Sequence, residues 1–349
     1  MNAKYNIIGL MSGTSLDGLD IVKCTYIKKK KWTFNLEHWE TITYSDYWRE
    51  RLTNLHLKSE KEIIHADIEY GFFLGEKVKD FCKKYKCKAD YVSSHGHTIF
   101  HNPSMKHSLQ IGNGSSILKS SGINCINNFR ELDVNNDGQG APLVPIGDLL
   151  LFNKYKYCLN LGGFANISKK NKDHIIAFDI CPVNYILNHY TKILGHEYDI
   201  NGSISMKGKI NNQLLIDLNN IDFYRKNNPK SLSREWVELK LFPIIKLHKI
   251  PIEDILKTYI EHIALQIGKH LKNKEVLITG GGTFNLSLIN RIKHYSSSKI
   301  IIPKKEIIEF KEAIIFGLLG VLKLRNEINC LSSVTGAKKD SSSGDIYIK

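Results

Sequence analysis

Apolar runs broken by short polar turns dominate the first forty residues. YNIIGLM, LDIVKCTYI and KWTFNLEHWETITY are rich in β-branched and aromatic residues and predict a three-stranded meander. From Asp46 to Lys88 the period lengthens. IIHADIEYGFFLGEKVKDFCKKY sets Ile64, Ile68, Phe72, Gly75, Val78 and Cys82 on one stripe of a long helix, with polar residues opposite. ADYVSSHGHTIFHNP reads as a buried strand running into a His-rich loop, and SLQIGNGSSILKSSG as a strand followed by a helix. INCINNFRELDVNNDGQGAPLVPIGDLLLF joins a strand, a long polar loop and a helix whose start is punctuated by proline.

The order then repeats. From Tyr155, KYKYCLNLGGFANIS and HIIAFDICPVN predict three strands and two tight turns. Helical patterns follow, including Glu253 to Leu271. KEVLITGGG is a buried strand ending in glycines, and FNLSLINRIKHY is the helix behind it. The tail EIIEFKEAIIFGLLGVLKL is a strongly apolar helix, interrupted by Glu309, Lys311 and Glu312, and it falls short of a membrane span. Strands then helices, twice over, predict a two-domain α/β protein. The expected domains are residues 1–150 and 151–349, with the last helix a candidate to cross back and a ligand cleft between them.

Composition changes this picture little. A chain of 349 residues with 42% hydrophobic and 24% charged residues is that of a soluble globular protein with room for two large domains. The N-terminus lacks a signal-peptide layout, so a cytoplasmic location is expected. Seven cysteines are scattered without a CxxC pair, which favours reduced thiols over a disulfide frame or a zinc site. The formal charge of +14 raises the question of nucleic acid. Its basic clusters (KKKK at Lys28 to Lys31, KKYKCK at Lys83 to Lys88, KKNK at Lys169 to Lys172) are short and dispersed, without aromatic interleaving or a basic helical stripe. No nucleic-acid or membrane partner is expected, although a positive field attracts an anionic nucleotide.

The candidate chemistry starts in IIGLMSGTSLDGLDIV, Ile7 to Val22. A turn of the form Gly-Thr-Ser-x-Asp-Gly between two buried strands leaves several backbone N–H groups unpaired, and with the Thr14 and Ser15 hydroxyls these can cradle phosphate oxygens. Gly13 and Gly18 allow close approach and positive φ. Asp17 suits Mg²⁺ or a bound water beside a phosphate, or caps the turn. TGGG, Thr279 to Gly282, lets a base or ribose lie against backbone, where a close-packed strand-to-helix turn would need only one glycine; NLGGFANIS is a similar double-glycine hairpin and can equally be a packing feature. Asp179 ends IIAFD at a strand terminus, as a general base or as the cap of a helix after Pro182. His95, His97 and His101 resemble a metal cluster by count, yet no Cys, Asp or Glu completes it, and hydrogen bonding is the favoured reading. Arg130 in FRELD sets a guanidinium fork in a polar loop, for a carboxylate or phosphate or for a surface salt bridge.

Together these stretches resemble the anhydro-N-acetylmuramic acid kinases, a family of the actin and sugar-kinase superfamily. GLMSGTSLDGLD is similar to the family's first phosphate loop, SHGHTIFHNP to its His-Gly-Gln-Thr stretch, and HSLQIGN to the segment after it. FRELDVNNDGQGAPLVP resembles the substrate loop and LNLGGFANIS the first hairpin of the second domain. KSLSREW stands where the family has Lys-Ser-Thr-Gly-Arg-Glu; TGGGTFNLSLI, EFKEAIIFGLLG and SVTGA follow in the family's order. Two departures stand out: DICPVN replaces Asp-Thr-Gly-Pro-Gly-Asn, putting Cys181 and Val183 at two glycine positions, and His97 takes the place of the Gln.

The resemblance implies a two-domain actin-like ATPase fold of ribonuclease H-like type, with ATP and Mg²⁺ as cofactors and a homodimer as the assembly. The implied reaction phosphorylates the 6-oxygen of 1,6-anhydro-N-acetylmuramic acid while water opens the anhydro ring, an intermediate step of peptidoglycan recycling. Asp179 is implied as the catalytic base and Glu312 as a second active-site acid. Gly13, Thr14, Ser15, Leu16, Asp17, Gly18, Leu19 and Asp20 are implied to hold ATP phosphates, with Asp17 toward Mg²⁺. Gly162, Gly163, Gly280, Gly281 and Gly282 would contact the rest of the nucleotide. His95, His97, Arg130, Gln139, Gly140 and Asn184 would line the sugar pocket. A catalytically silent ATP-binding sensor or scaffold is the alternative, and retention of both Asp179 and Glu312 speaks against it.

Overall fold

The computed structural model describes residues 3–13, 16–171, 174–226 and 230–349. Contacts divide the chain into two units, Met1–Leu151 with Phe310–Lys349, and Phe152–Glu309. In the first unit β1 (Ala3–Ser12), β2 (Leu19–Lys28) and β3 (Trp32–Ile42) form an antiparallel meander, and β4 (Tyr91–Ser94) lies parallel to β1. A separate hairpin, β5 (His97–Asn102) with β6 (His107–Ile111), precedes β7 (Asn124–Asn127), which is parallel to β4. In the second unit β8 (Tyr157–Leu161), β9 (Phe164–Asn171) and β10 (His174–Pro182) repeat the meander. There β11 (Glu275–Thr279) and β12 (Lys299–Ile301) extend the sheet in parallel. The last strand, β13 (Asp345–Tyr347), pairs antiparallel with β7.

Each unit therefore carries the same five-strand order, third-second-first-fourth-fifth, with the second strand reversed; in the first unit β7 is the fifth, and the antiparallel β13 adds a sixth strand at its edge. Such a duplicated sheet is the ribonuclease H-like arrangement of actin-like ATPases, as the resemblance implied. The HTIFHN segment expected as a His-rich loop is the strand β5, whose pairing with β6 carries a bulge between Thr98 and Phe100. Among the described residues, no helix is long and apolar enough to cross a membrane.

The first unit holds α1 (Asp46–Asn54), α2 (Glu60–Tyr85), α3 (Gly114–Ser121), α4 (Glu131–Asn135) and α5 (Val144–Leu151). The second holds α6 (Asn184–Ile193), α7 (Asn212–Asn219), α8 (Arg234–Trp236), α9 (Phe242–Leu247), α10 (Ile252–Gly268) and α11 (Leu286–Tyr295). From Phe310 onward, α12 (Lys305–Leu324) belongs to the first unit.

Helix α2 opens with a capping box between Ser59 and Glu62. Its buried face is Ile63, Ala66, Tyr70, Gly71, Leu74, Gly75, Val78 and Phe81. Gly75 and Val78 lie on the expected stripe; Ile64, Ile68 and Phe72 are exposed instead. The cause is α3: a Cβ on Gly71 would meet the Asn113 carbonyl oxygen at 2.6 Å, and one on Gly75 would meet Ser120 Cβ at 2.6 Å. The glycine row takes the close helix crossing and turns the bulkier row outward.

A similar contact seats α12. A Cβ on Gly9, in β1, would lie 2.2 Å from the Ala313 carbonyl oxygen. On the same helix the Tyr26 hydroxyl donates to the Ile314 carbonyl at 2.5 Å. Strand and helix backbones thus touch at the residue after Glu312, so Gly9 helps to set where that carboxylate stands. Gly9→Ala is expected to cost about 1–3 kcal/mol through overpacking. The check is urea denaturation, where the midpoint should fall at an unchanged slope; a wild-type midpoint would mean that the helix has room to shift.

Candidate active site

Between β1 and β2, residues Gly13, Leu16, Asp17 and Gly18 are described, whereas Thr14 and Ser15 lie outside the described residues. Leu16 has a positive φ of 60°, and its N–H donates to the Gly13 carbonyl at 3.2 Å. Gly18 does not use the left-handed freedom expected of it. What it supplies is space, because a Cβ there would lie 2.6 Å from the Ile42 carbonyl oxygen. Leu19 is buried, and Asp20 accepts from the Thr41 hydroxyl at 2.6 Å. Asp17 is exposed. No cluster of three His, Cys, Asp or Glu side chains among the described residues could hold a metal ion. Mg²⁺ arriving with a nucleotide needs only one or two carboxylates beside phosphate oxygens, and the exposed Asp17 fits that donor set.

Ser12, the last residue of β1, joins a buried chain of polar groups. Its Oγ lies 2.7 Å from His97 Nδ1 and 2.6 Å from the Tyr44 hydroxyl, which is 2.6 Å from the Tyr70 hydroxyl. Burial lowers the His97 pKa to about 4, so the ring is neutral. His95 is equally buried, with Nδ1 2.9 Å from the Gly96 carbonyl and Nε2 2.8 Å from Arg130 Nη2. A guanidinium can only donate, so Nε2 accepts and Nδ1 carries the proton. Burial, then the Arg130 charge, holds the His95 pKa down at about 3. His101 is exposed and bonds Ser108 instead, at 3.0 Å, so the histidines do not converge as a metal set would.

Arg130 is part-buried and donates from Nη1 to the Gly140 carbonyl at 2.6 Å. Gly140 has φ 63°, and its N–H donates to Asp133 Oδ2 at 2.7 Å. The other Asp133 oxygen accepts from the Thr335 hydroxyl at 2.8 Å and the Cys330 thiol at 3.1 Å. The Gln139 N–H donates to the Thr335 carbonyl at 2.8 Å, and its side chain is exposed. Arg130 is therefore built into its own loop. Burial lowers its pKa to about 10 and the Glu312 charge opposes that, leaving a cation at neutral pH. Glu312 is open to solvent yet crowded by protein, and the crowding raises its pKa; Lys311 and Arg130 draw it down, and Asp148 adds to the rise. Lys311 and Asp148 form a buried ion pair at 2.6 Å. Sequence reasoning missed this pair, the Tyr44–Tyr70 chain and Asp133. FRELD and SVTGA were both recognised, but no spacing signal joins Asp133 to Thr335.

Asp179 belongs to the second unit. A bulge between Asp179 and Cys181 interrupts the pairing of β10 with β9, the kind of irregularity that re-aims a side chain. Its N–H donates to the Lys230 carbonyl at 2.9 Å, and its Oδ2 accepts from the Leu232 N–H at 2.9 Å. The KSLSREW segment thus straps the carboxylate, a contact that the resemblance did not predict. Burial raises the Asp179 pKa and the Leu232 N–H partly offsets it. The capping alternative does not hold, because α6 starts after Val183 without a side-chain cap.

The start of α6 is instead capped by backbone. Val183 and Tyr185 N–H groups donate to the Gly163 carbonyl at 2.8 and 3.2 Å, and the Asn184 N–H to the Gly162 carbonyl at 3.2 Å. Cys181 and Val183 are fully buried in the core of this unit. Asn184 Nδ2 donates to the Leu161 carbonyl at 3.1 Å. In TGGG, Gly280 has φ 84° and stands against Asn160 and Leu161, and Gly282 also packs on Leu161, with a Cβ only 2.8 Å away. Gly281 alone is exposed, its nearest neighbour 3.6 Å from a Cβ. Packing accounts for two of the three glycines.

The family described as Anhydro-N-acetylmuramic acid kinase matches residues 5–349. Proteins of that name are similar to the chain along nearly their whole lengths. The one from Clostridioides difficile (strain 630) is 32% identical over 98% of this chain and 98% of its own. Those from Bacillus cereus (strain Q1) and Hydrogenovibrio crunogenus (strain DSM 25203 / XCL-2) are each 30% identical, over 97% of this chain and 98% and 97% of theirs.

The two neutral histidines make stability pH-dependent. Their folded pKa values, about 3 for His95 and about 4 for His97, lie below the unfolded value near 6.5. The unfolded chain therefore takes up protons that the folded one refuses. Their contribution is full above about pH 6.5 and is lost as pH falls toward 4, at about 1.4 kcal/mol per pH unit for each ring. His97→Gln should remove one ring's share of that slope, as read by urea denaturation between pH 7.5 and 5. An unchanged slope would mean that His97 is protonated in the fold.

Proposed function

The chain belongs to the anhydro-N-acetylmuramic acid kinase family, and from that premise we propose how its own residues carry out an ATP-dependent, ring-opening phosphorylation in cell-wall recycling. The substrate is 1,6-anhydro-N-acetylmuramic acid and the product N-acetylmuramic acid 6-phosphate. Asp179 takes a proton from water as the water oxygen bonds to the anomeric carbon. The bond from that carbon to the 6-oxygen breaks, and the 6-oxygen attacks the γ-phosphorus of ATP, releasing ADP. With Oδ2 held by the Leu232 N–H, Oδ1 is left for the water. A pKa raised by burial makes the carboxylate a better base.

Glu312 would balance the positive charge that develops on the sugar as the ring opens. The uncharged His97 ring suits a hydrogen bond from Nε2 to a sugar hydroxyl. His95, with both ring nitrogens engaged by Gly96 and Arg130, would act on the pocket by holding Arg130. Arg130, Gln139, Gly140 and Asn184 would complete that pocket. Residues 13–20 would hold the ATP phosphates, with the exposed Gly163 and Gly281 leaving backbone open to the rest of the nucleotide. Mg²⁺ held by Asp17 and the phosphates would supply charge neutralisation. In this reading residues 1–150 carry the first phosphate loop and sugar loops, and residues 151–349 carry Asp179 and the adenosine loop. A cytoplasmic homodimer completes the proposal.

The observation that carries the reading is the family match from residue 5 to 349. The test incubates the protein with ATP, Mg²⁺ and the anhydro sugar in water enriched in heavy oxygen. Mass spectrometry should find the ring-opened 6-phosphate with one heavy oxygen at the anomeric carbon. Absence of product from a folded, ATP-binding preparation would sink the reading. Asp179→Asn should lower kcat by about 10²–10⁴-fold with little change in ATP affinity, and chelation of Mg²⁺ should stop turnover.

A further inference from the structure

Five of the seven cysteines (Cys24, Cys125, Cys158, Cys181 and Cys330) are buried. Only Cys82 and Cys87 keep partial exposure, and these two meet. Helix α2 ends with Lys86 in the left-handed conformation, φ 49° and ψ 37°. The Cys87 N–H donates to the Cys82 carbonyl at 3.1 Å and the Lys86 N–H to the Lys83 carbonyl at 3.3 Å. This pair of bonds is a Schellman motif, whose geometry brings the residue three positions before the cap against the second residue beyond it. Apolar side chains usually occupy that contact. Here both are thiols, brought side by side by the motif and packed at the edge of the first unit's core.

We propose that Cys82 and Cys87 are a site of reversible two-electron oxidation, closing to an intrachain disulfide when the protein meets a hydroperoxide. The thiolate of Cys87 attacks the peroxide oxygen, giving a sulfenic acid and, from hydrogen peroxide, one water. The Cys82 sulfur then attacks the sulfenic sulfur, and the displaced hydroxide leaves as a second water with the Cys82 proton. Two thiols lose two hydrogens and two electrons, and the peroxide accepts them. Burial, reinforced by Cys87, pushes the Cys82 thiol up, and Cys87 stands just past the helix end whereas Cys82 sits within its last turn. Cys87 therefore takes the first step and Cys82 the resolving step. The ring so formed lies within one helix end. It reinforces a contact that the reduced cap already makes and leaves the residues proposed for catalysis untouched.

The sequence makes the test direct, because Lys83, Lys84 and Lys86 lie between the two cysteines and trypsin places them on separate peptides. After treatment of the folded protein with hydrogen peroxide and alkylation, the Asp80–Lys83 and Cys87–Lys88 peptides should appear joined, lighter by two hydrogens than their sum. A dithiol reductant should separate them. In Cys82→Ser, Cys87 should accumulate as a sulfenic acid captured by a dimedone probe; in Cys87→Ser, Cys82 should remain alkylatable. Two free alkylated peptides, cross-links to other cysteines or between chains, or oxidation to sulfinic acid without the joined peptide would each overturn the proposal.

Discussion

The carboxylate of Asp133 has no exposed surface, and a buried charge without partners costs several kcal/mol. Three donors answer it: the Gly140 N–H, the Thr335 hydroxyl and the Cys330 thiol. Supplying them shapes the loop, since Gly138 passes so close that a Cβ would lie 2.2 Å from Asp133 Oδ2. With Gly140 pinned, its carbonyl receives Arg130, and Arg130 in turn fixes the tautomer of His95. The orientation of the proposed sugar-binding groups thus descends from one charge that has to be satisfied away from water.

A related constraint governs the second unit. The first N–H groups of a helix need acceptors, and at α6 the Gly162 and Gly163 carbonyls supply them. Those amides are engaged within the protein, so the positions around them have no need of bare backbone. Cys181 and Val183 then serve as core side chains. This gives a physical reason why two glycines of the family pattern are dispensable here, while Asp179 and Asn184 persist with specific partners of their own.

Close approach, more than conformational freedom, explains most of the glycines that the motifs drew attention to. Gly9 admits the α12 backbone, Gly18 the Ile42 carbonyl, and Gly282 the side of Leu161. Gly281 and Gly163 are exposed instead. Sequence alone does not separate the two kinds, because a glycine that packs and a glycine that makes room for a ligand look identical in a motif.

The sequence by itself determined what depends on near neighbours. Period and turn chemistry laid out both meanders, the helix of residues 60–85 and the strand ending at TGGG, and the full-length resemblance pointed to the duplicated fold. Tertiary structure decided which face of α2 is buried, because the Gly71 and Gly75 contacts come from another helix. It also decided that HTIFHN is a strand, since its pairing partner is a separate segment. Among the candidate site residues, their chemical type was legible but their partners were not. Ser12 with His97, Asp133 with Thr335 and Asp179 with Leu232 are joined only once the chain has folded. Hydrogen bonds between distant segments leave no periodicity to read, whereas the strands and helices that carry them do.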